Sequence, residues 1–367
     1  MTEFFGNASI VASLARMLAE DRLPQTMLFA GPEGVGKATL ARRAAAALLC
    51  ERGQPDPCGT CSHCRRVLEA DLSLPHYQKL VEERARLPLE RRRDNPLIVS
   101  THPEFLCFPP DGPLAQISIE QVRKLQEHAR FGPSQGRRRL FLLDHADQMD
   151  AAAANSLLKT LEEPPPYLIL ILTAANPYRL LPTIRSRAVP FWFAPLGEAD
   201  MQRFLAGRPD IPDAERARRL AWAQGCPGRV VSIDSAAYQK RREAMLVLLE
   251  TAAGAGSFGD LLRHTEVIGR SKLEKIEALL DVFYGLLRDL AGLRIGPGQR
   301  AIVNEDVRGR IEAVAAKVDY AWLDSALAQM DELDRLVRRN IQKQIALEAV
   351  AVTLRGHRPA ARAPDRG

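Results

Sequence analysis

Aromatic residues make up only 6% of this 367-residue sequence, and nowhere does it approach the ~20 consecutive apolar residues of a bilayer-spanning helix. The shortage of rings argues against a surface built to stack single-stranded bases, which interleaves aromatics with basic residues. The missing apolar run excludes a spanning helix. The N-terminus, Met1-Thr2-Glu3-Phe4-Phe5, lacks the basic stretch and small-residue cleavage site of a secretory signal. A cytoplasmic location, with no membrane partner, is therefore expected. Cysteine is also scarce, six in all, yet four crowd together at Cys50, Cys58, Cys61 and Cys64 while Cys107 and Cys226 stand alone. In a reducing compartment such a cluster points to metal rather than to disulfides. No internal repeat is present.

What remains is ordinary in bulk: 46% hydrophobic and 26% charged residues. The length exceeds what one core normally holds and predicts two or three domains. A net charge of +6 and a pI near 9.1 favour polyanion partners, nucleic acid being the common one. An Arg-rich solvated surface explains the same numbers, and charge alone leaves both readings open.

Ile10, Val11, Leu14, Met17 and Leu18 recur at helical spacing. Three short apolar runs, Met27–Ala30, Leu140–Leu143 and Tyr167–Leu172, read as buried parallel strands. An Ala- and Leu-rich segment from Ala38 to about Cys50 reads as a helix, and residues 51–64 as loop. Residues 72–100 are highly charged and read as an inserted helical excursion of unassigned function. Ser118 followed by Gln121 fits a capping box opening a helix through about Arg130. Asp150 caps another that Pro164-Pro165-Pro166 stops. Strand and helix alternation of this kind gives an α/β class with a parallel sheet. Past about Pro195 the pattern is helical to about Arg355, with breaks at Gly225–Gly228 and Gly292–Gly298. Residues 356–367 read as a disordered tail.

Gly31-Pro32-Glu33-Gly34-Val35-Gly36-Lys37-Ala38 follows a strand and opens a helix, the required context of a phosphate-binding loop. Gly31, Gly34 and Gly36 let backbone N–H groups converge on phosphate oxygens, and Lys37 adds a full charge at a helix N-terminus. Ala38 stands where a Ser or Thr hydroxyl normally holds Mg²⁺. Thr39 comes one place late, rotated about 100° around the helix, and is expected to miss the metal. Asp144, ending the second apolar strand, fits the metal-binding aspartate. The next residue is His145, where a glutamate usually polarises the attacking water. Metal coordination and water activation are thus both altered, so ATP hydrolysis is not expected and ATP binding is in doubt.

Cys50-x7-Cys58-x2-Cys61-x2-Cys64 offers four thiolates to one tetrahedral Zn²⁺. No open coordination position is suggested, so the site reads as structural. His63 is a possible substitute ligand, although it and Cys64, being adjacent, can rarely both point inward. Cys107 and Cys226 read as ordinary buried or turn residues. Arg137-Arg138-Arg139 reads as a solvated face at a strand edge rather than a DNA reader.

Taken together these residues resemble the bacterial clamp-loader family. Ala154–Pro165 (ANSLLKTLEEPP) resembles its signature helix, and Leu180–Arg187 (LLPTIRSR) the segment that ends in its SRC motif. Ala188 departs from that motif, which usually has Cys there. The cysteines resemble the family's zinc module, Gly225-Cys226-Pro227-Gly228-Arg229 its lid turn, and Asn340–Leu354 its last collar helix. The altered phosphate loop resembles the delta-prime type; the alternative is an active ATPase of the gamma/tau type.

The resemblance implies an AAA+ domain over residues 1–194 with the zinc module at 50–64, a helical lid over 195–240 and a helical collar over 241–355. It further implies a hetero-pentameric ring with gamma/tau and delta subunits that loads the beta sliding clamp on primed DNA for DNA polymerase III. Arg187 would then serve as an arginine finger acting in trans at the ATP site of a neighbour.

Overall fold

A computed structural model of the chain describes residues 4–271, 274, 276–295, 302–336 and 342–357. They form two compact units, one of residues 1–216 with 223–231, the other of 217–222 with 232–367. No helix among the described residues is long and apolar enough to cross a membrane.

The first unit is built on a six-stranded sheet of order β2-β3-β4-β5-β1-β6. Its strands are β1 (Thr26–Ala30), β2 (Val99–His102), β3 (Phe105–Phe108), β4 (Arg139–Leu143), β5 (Leu168–Ala174) and β6 (Val189–Trp192). All neighbours pair in parallel except the β2–β3 hairpin. The three apolar runs read from the sequence are the central strands β1, β4 and β5, buried at every position. Burial on both faces is what makes such strands continuous apolar runs.

The sequence reading missed β2, β3 and β6. Val99 already belongs to β2, so the charged excursion ends earlier than expected. β2 (Val-Ser-Thr-His) carries no apolar run, β3 (Phe-Leu-Cys-Phe) carries one as unbroken as those of β1 and β4 and was passed over, and Pro190 argues against a strand at β6. The structure explains the proline. Phe193 donates its N–H to the Ala30 carbonyl at 2.7 Å, and in a parallel strand N–H direction alternates. Position 190 therefore faces away from β1, on the sheet edge where a missing donor costs no ladder bond.

Ten helices among the described residues belong with this sheet or follow it: α1 (Ala8–Ala19), α2 (Lys37–Leu48), α3 (Ser62–Leu68), α4 (Pro75–Ala85), α5 (Leu89–Asp94), α6 (Ile119–Ala129), α7 (Ala151–Glu162), α8 (Pro182–Arg185), α9 (Glu198–Ala206) and α11 (Pro227–Ser232), while the residues of α10 (Asp213–Ala223) are divided between the two units. The capping box of α6 forms in both directions, and Asp150 accepts the Ala153 N–H at 2.6 Å to start α7. The stretch read as loop over 51–64 ends sooner: Cys61 caps α3, and Cys64 lies in its first turn. The excursion supplies α4 and α5. It is tied down by a buried ion pair, Arg84 to Asp111 at 2.6 Å, and by Arg84 to the Asn95 carbonyl at 2.7 Å.

The second unit is helical: α12 (Ser235–Ala252), α13 (Phe258–Arg270), α14 (Ile276–Ile295), α15 (Arg308–Ala315), α16 (Tyr320–Leu336) and α17 (Lys343–Gly356). One apolar core joins them, with Trp322, Phe283, Leu248 and Leu354 among its buried members. Beside it Asp289, 2% exposed, accepts the Asn304 backbone and side-chain N–H groups at 2.9 and 2.8 Å. Gly292 does not break a helix, because α14 runs through it; residues 296–301 lie outside the described residues. So does Asn340, the expected start of the last helix, while Gly356 of the expected tail belongs to α17. Residues 358–367 of that tail also lie outside.

Candidate functional site

The phosphate loop connects the C-terminal end of β1 to the first turn of α2. Gly31, Gly34 and Gly36 all take positive φ, +151°, +80° and +105°. At Gly34 the reason is twofold. The left-handed backbone disfavours a side chain, and a Cβ there would lie 2.9 Å from the Arg229 nitrogen. The turn Gly225–Arg229 thus lies directly on the loop. Gly228 donates its N–H to the Gly34 carbonyl at 2.8 Å, and a Cβ on Gly228 would meet the Gly34 Cα at 2.9 Å. On the other side, the Phe4 ring comes within 3.1 Å of where a Gly36 Cβ would be.

Lys37 is buried, and its ammonium donates to the carbonyls of Gly31 at 2.6 Å and Pro32 at 2.8 Å. Burial lowers its pKa, against the opposing pull of Asp144, Asp147 and Glu33. Asp144, also buried, follows β4 and accepts the Thr173 hydroxyl at 2.7 Å. Thr173 accepts in turn from the His145 N–H at 2.8 Å, where His145 takes left-handed backbone with φ +55°. Asp147 receives the N–H groups of Ala175 at 3.1 Å and Asn176 at 2.9 Å. Lys37 and Asp144 are therefore brought to one place, whereas Thr39 is exposed on α2. The arrangement has Lys37, a carboxylate and a loop of three glycines at positive φ. It lacks a hydroxyl at position 38 and a carboxylate at position 145.

Thr173, Gly228, Phe4 and Asp147 escaped the sequence reading as members of this site. Thr173 carried a usable signal, being the one polar residue in the strand Leu-Ile-Leu-Ile-Leu-Thr-Ala. A buried hydroxyl needs a partner, and Asp144 is that partner. Gly228 and Phe4 carried none, since their meeting with the loop depends on long-range packing.

The four clustered cysteines come together. Cys50, Cys58, Cys61 and Cys64 place their sulfurs within 4.8 Å of one another, with Cys58 and Cys64 at 3.9 Å. A tetrahedron with Zn–S bonds of about 2.3 Å has edges of about 3.8 Å, so the spacing fits such an ion. Backbone N–H groups point at the sulfurs, Cys61 to Cys58 at 3.3 Å and Cys64 to Cys61 at 3.4 Å, which favours thiolate. The Thr60 hydroxyl and the Cys61 N–H bring the Cys58 pKa down to about 5. Burial pushes Cys64 up.

His63 turns away from the cluster. Its Nδ1 lies 2.6 Å from Nε2 of buried His102. His102 Nδ1 accepts the Glu104 N–H at 3.1 Å, so its own proton sits on Nε2 and is donated to His63. Burial and the neighbouring His63 lower the His102 pKa to about 4, which keeps that ring neutral. Cys107 and Cys226 are buried singly, as expected.

Arg187 lies two residues beyond α8. Its guanidinium donates to the Thr183 carbonyl at 3.1 Å and to Glu162, the last residue of α7, at 2.9 Å. Nearby, Arg185 lies over the exposed Tyr178 ring at 5.1 Å.

Several known proteins are similar to this chain. The family described as DNA polymerase III, delta subunit matches residues 6–197. The delta' subunit of DNA polymerase III from Pseudomonas aeruginosa is 33% identical over 201 residues, 54% of this chain and 52% of its own. That of Bacillus subtilis is 32% identical over 187 residues, 51% of this chain and 47% of its own. The tau/gamma subunit from Haemophilus influenzae is 29% identical over 202 residues, 55% of this chain and 25% of its own. The chain thus spans about half the length of these delta' relatives and a quarter of the tau/gamma one. A gamma subunit-related protein of DNA polymerase III from Thermotoga maritima aligns over 94% of this chain and 98% of its own, at 16% identity and a TM-score of 0.39. With the phosphate loop, the cysteine cluster and Arg187 all inside the matched residues, the chain belongs to the DNA polymerase III delta subunit family.

Proposed function

We propose that this chain is a delta-prime-type subunit of the clamp loader of DNA polymerase III. It joins gamma/tau and delta subunits in a hetero-pentameric ring that places the beta sliding clamp on primed DNA in the cytoplasm. The observation that carries the reading is a divided site: the chain's own loop lacks the metal hydroxyl and the water-polarising carboxylate, while Arg187 stands at the surface. An arginine that reaches a neighbour's nucleotide stabilises transition-state charge in trans. In this reading residues 1–194 are the AAA+ domain, 195–240 the lid and 241–355 the collar that closes the ring. Zn²⁺ held by Cys50, Cys58, Cys61 and Cys64 is structural.

The gamma/tau reading, an active ATPase, draws support from the tau/gamma relatives and from the presence of Lys37 and Asp144 at the loop. Ala38 and His145 weigh against it.

The test is DNA-stimulated ATPase and clamp loading by a reconstituted complex carrying Arg187→Ala or Arg187→Lys. Removing such an arginine from a single-site enzyme costs about 10³–10⁵ in rate. A ring with several sites should therefore show a partial loss of ATPase and a larger loss of loading. Lysine should not rescue either, because it cannot present a planar pair of donors. Wild-type values for both variants in an intact complex would remove Arg187 from the mechanism.

A further inference from the structure

Arg187 is held at two points inside its own chain, and the two contacts differ in kind. The Thr183 carbonyl, 3.1 Å from Nη1, is backbone and would be offered by any residue at that position. Glu162, 2.9 Å from Nη2, supplies a full negative charge from the end of another helix. Its place is itself unfavourable. A carboxylate at a helix C-terminus meets the negative end of the helix dipole, and Glu163 beside it adds a second negative charge. The guanidinium of Arg187 offsets both. Neither partner is sealed in, the side chains being 36% and 52% exposed.

We propose that Glu162 is the resting counter-ion of Arg187. It holds the guanidinium in its own chain until the nucleoside triphosphate of an adjoining subunit competes for it. The proposal rests on the reading of Arg187 as a finger that acts in trans. An exposed ion pair of this kind is weak, whereas a triphosphate presents several charges and paired acceptor oxygens to a planar fork. The exchange therefore runs toward the nucleotide when it is present and back to Glu162 when the terminal phosphate leaves. Glu162 touches no nucleotide and is a positioning residue.

The experiment uses the reconstituted complex with wild-type chain, Glu162→Gln, Arg187→Ala and the double variant, assayed with ATP and primed DNA. Glutamine keeps the side-chain length and an acceptor oxygen but removes the charge. In the Arg187-dependent part of the ATPase, Glu162→Gln should lower the ATP concentration at half-saturation by about two- to fivefold, the scale of a surface ion pair. Its kcat should be unchanged, and the shift should vanish in the Arg187→Ala background. A structural role would instead reduce assembly or kcat, and would do so in both backgrounds. Unchanged or raised half-saturation in Glu162→Gln, a lowered kcat, or a shift that persists without Arg187 overturns the counter-ion role. If Arg187→Ala itself has wild-type ATPase, the finger reading fails first, and the two failures are told apart.

Discussion

Two residues show how placement, not identity, sets chemistry in this chain. Cys58 and Cys64 are both thiols of one cluster, yet hydrogen bonds from Thr60 and Cys61 lower the first to about 5 while burial raises the second. Thr173 is a second case, with one hydroxyl serving both Asp144 and the His145 N–H. Thr173→Val keeps the shape and leaves both partners unsatisfied in a buried place. It should cost about 1–3 kcal/mol of stability, seen as a lower denaturant midpoint with an unchanged slope.

Among the elements, the cysteine loop and α3 have little apolar material of their own, Val67 being the main buried apolar side chain of α3. They are held by the sulfur cluster, by His63 on His102 at 2.6 Å and by Arg66 to the Thr101 carbonyl at 2.7 Å. A metal ion there would support local order more than the fold as a whole, because β1, β4 and β5 are buried by the packing of the sheet itself. One Zn²⁺ per chain is expected in protein purified without chelator. Its removal, or Cys61→Ser, should raise hydrogen exchange across residues 50–68 while the central strands keep their protection. Loss of protection in β1 and β5 as well would show that the metal supports the whole unit. The charged excursion of α4 and α5 is anchored differently, by the buried Arg84–Asp111 pair. Breaking one partner of such a pair leaves an uncompensated charge.

At the scale of the whole chain, the phosphate loop carries Ala38 where a hydroxyl is usual, and His145 follows Asp144. Lys37 is bonded to its own loop carbonyls, and the Gly225–Arg229 turn lies against Gly34. The isolated chain should accordingly show negligible ATPase. A steady turnover near about one per second, at the low end for enzymes of ordinary rate, would overturn this if Lys37→Ala abolished it. The same measurement separates the delta-prime reading from the gamma/tau one.

The sequence by itself determined the parts whose signal is local. Buried parallel strands read as unbroken apolar runs, so β1, β4 and β5 were legible. So were the capping box of α6, the phosphate loop between strand and helix, and the cysteine spacing that four ligands around one ion require. Tertiary structure alone decided what depends on long-range approach. Pro190 sits in a strand because that strand is an edge. Thr173 meets Asp144 because β5 lies beside β4. Gly228 reaches Gly34, and Glu162 reaches Arg187, across 194 and 25 positions of chain respectively (228 − 34 and 187 − 162). No pattern within a short window carries such meetings, because they are fixed by how the elements pack and not by the propensities of the residues that meet.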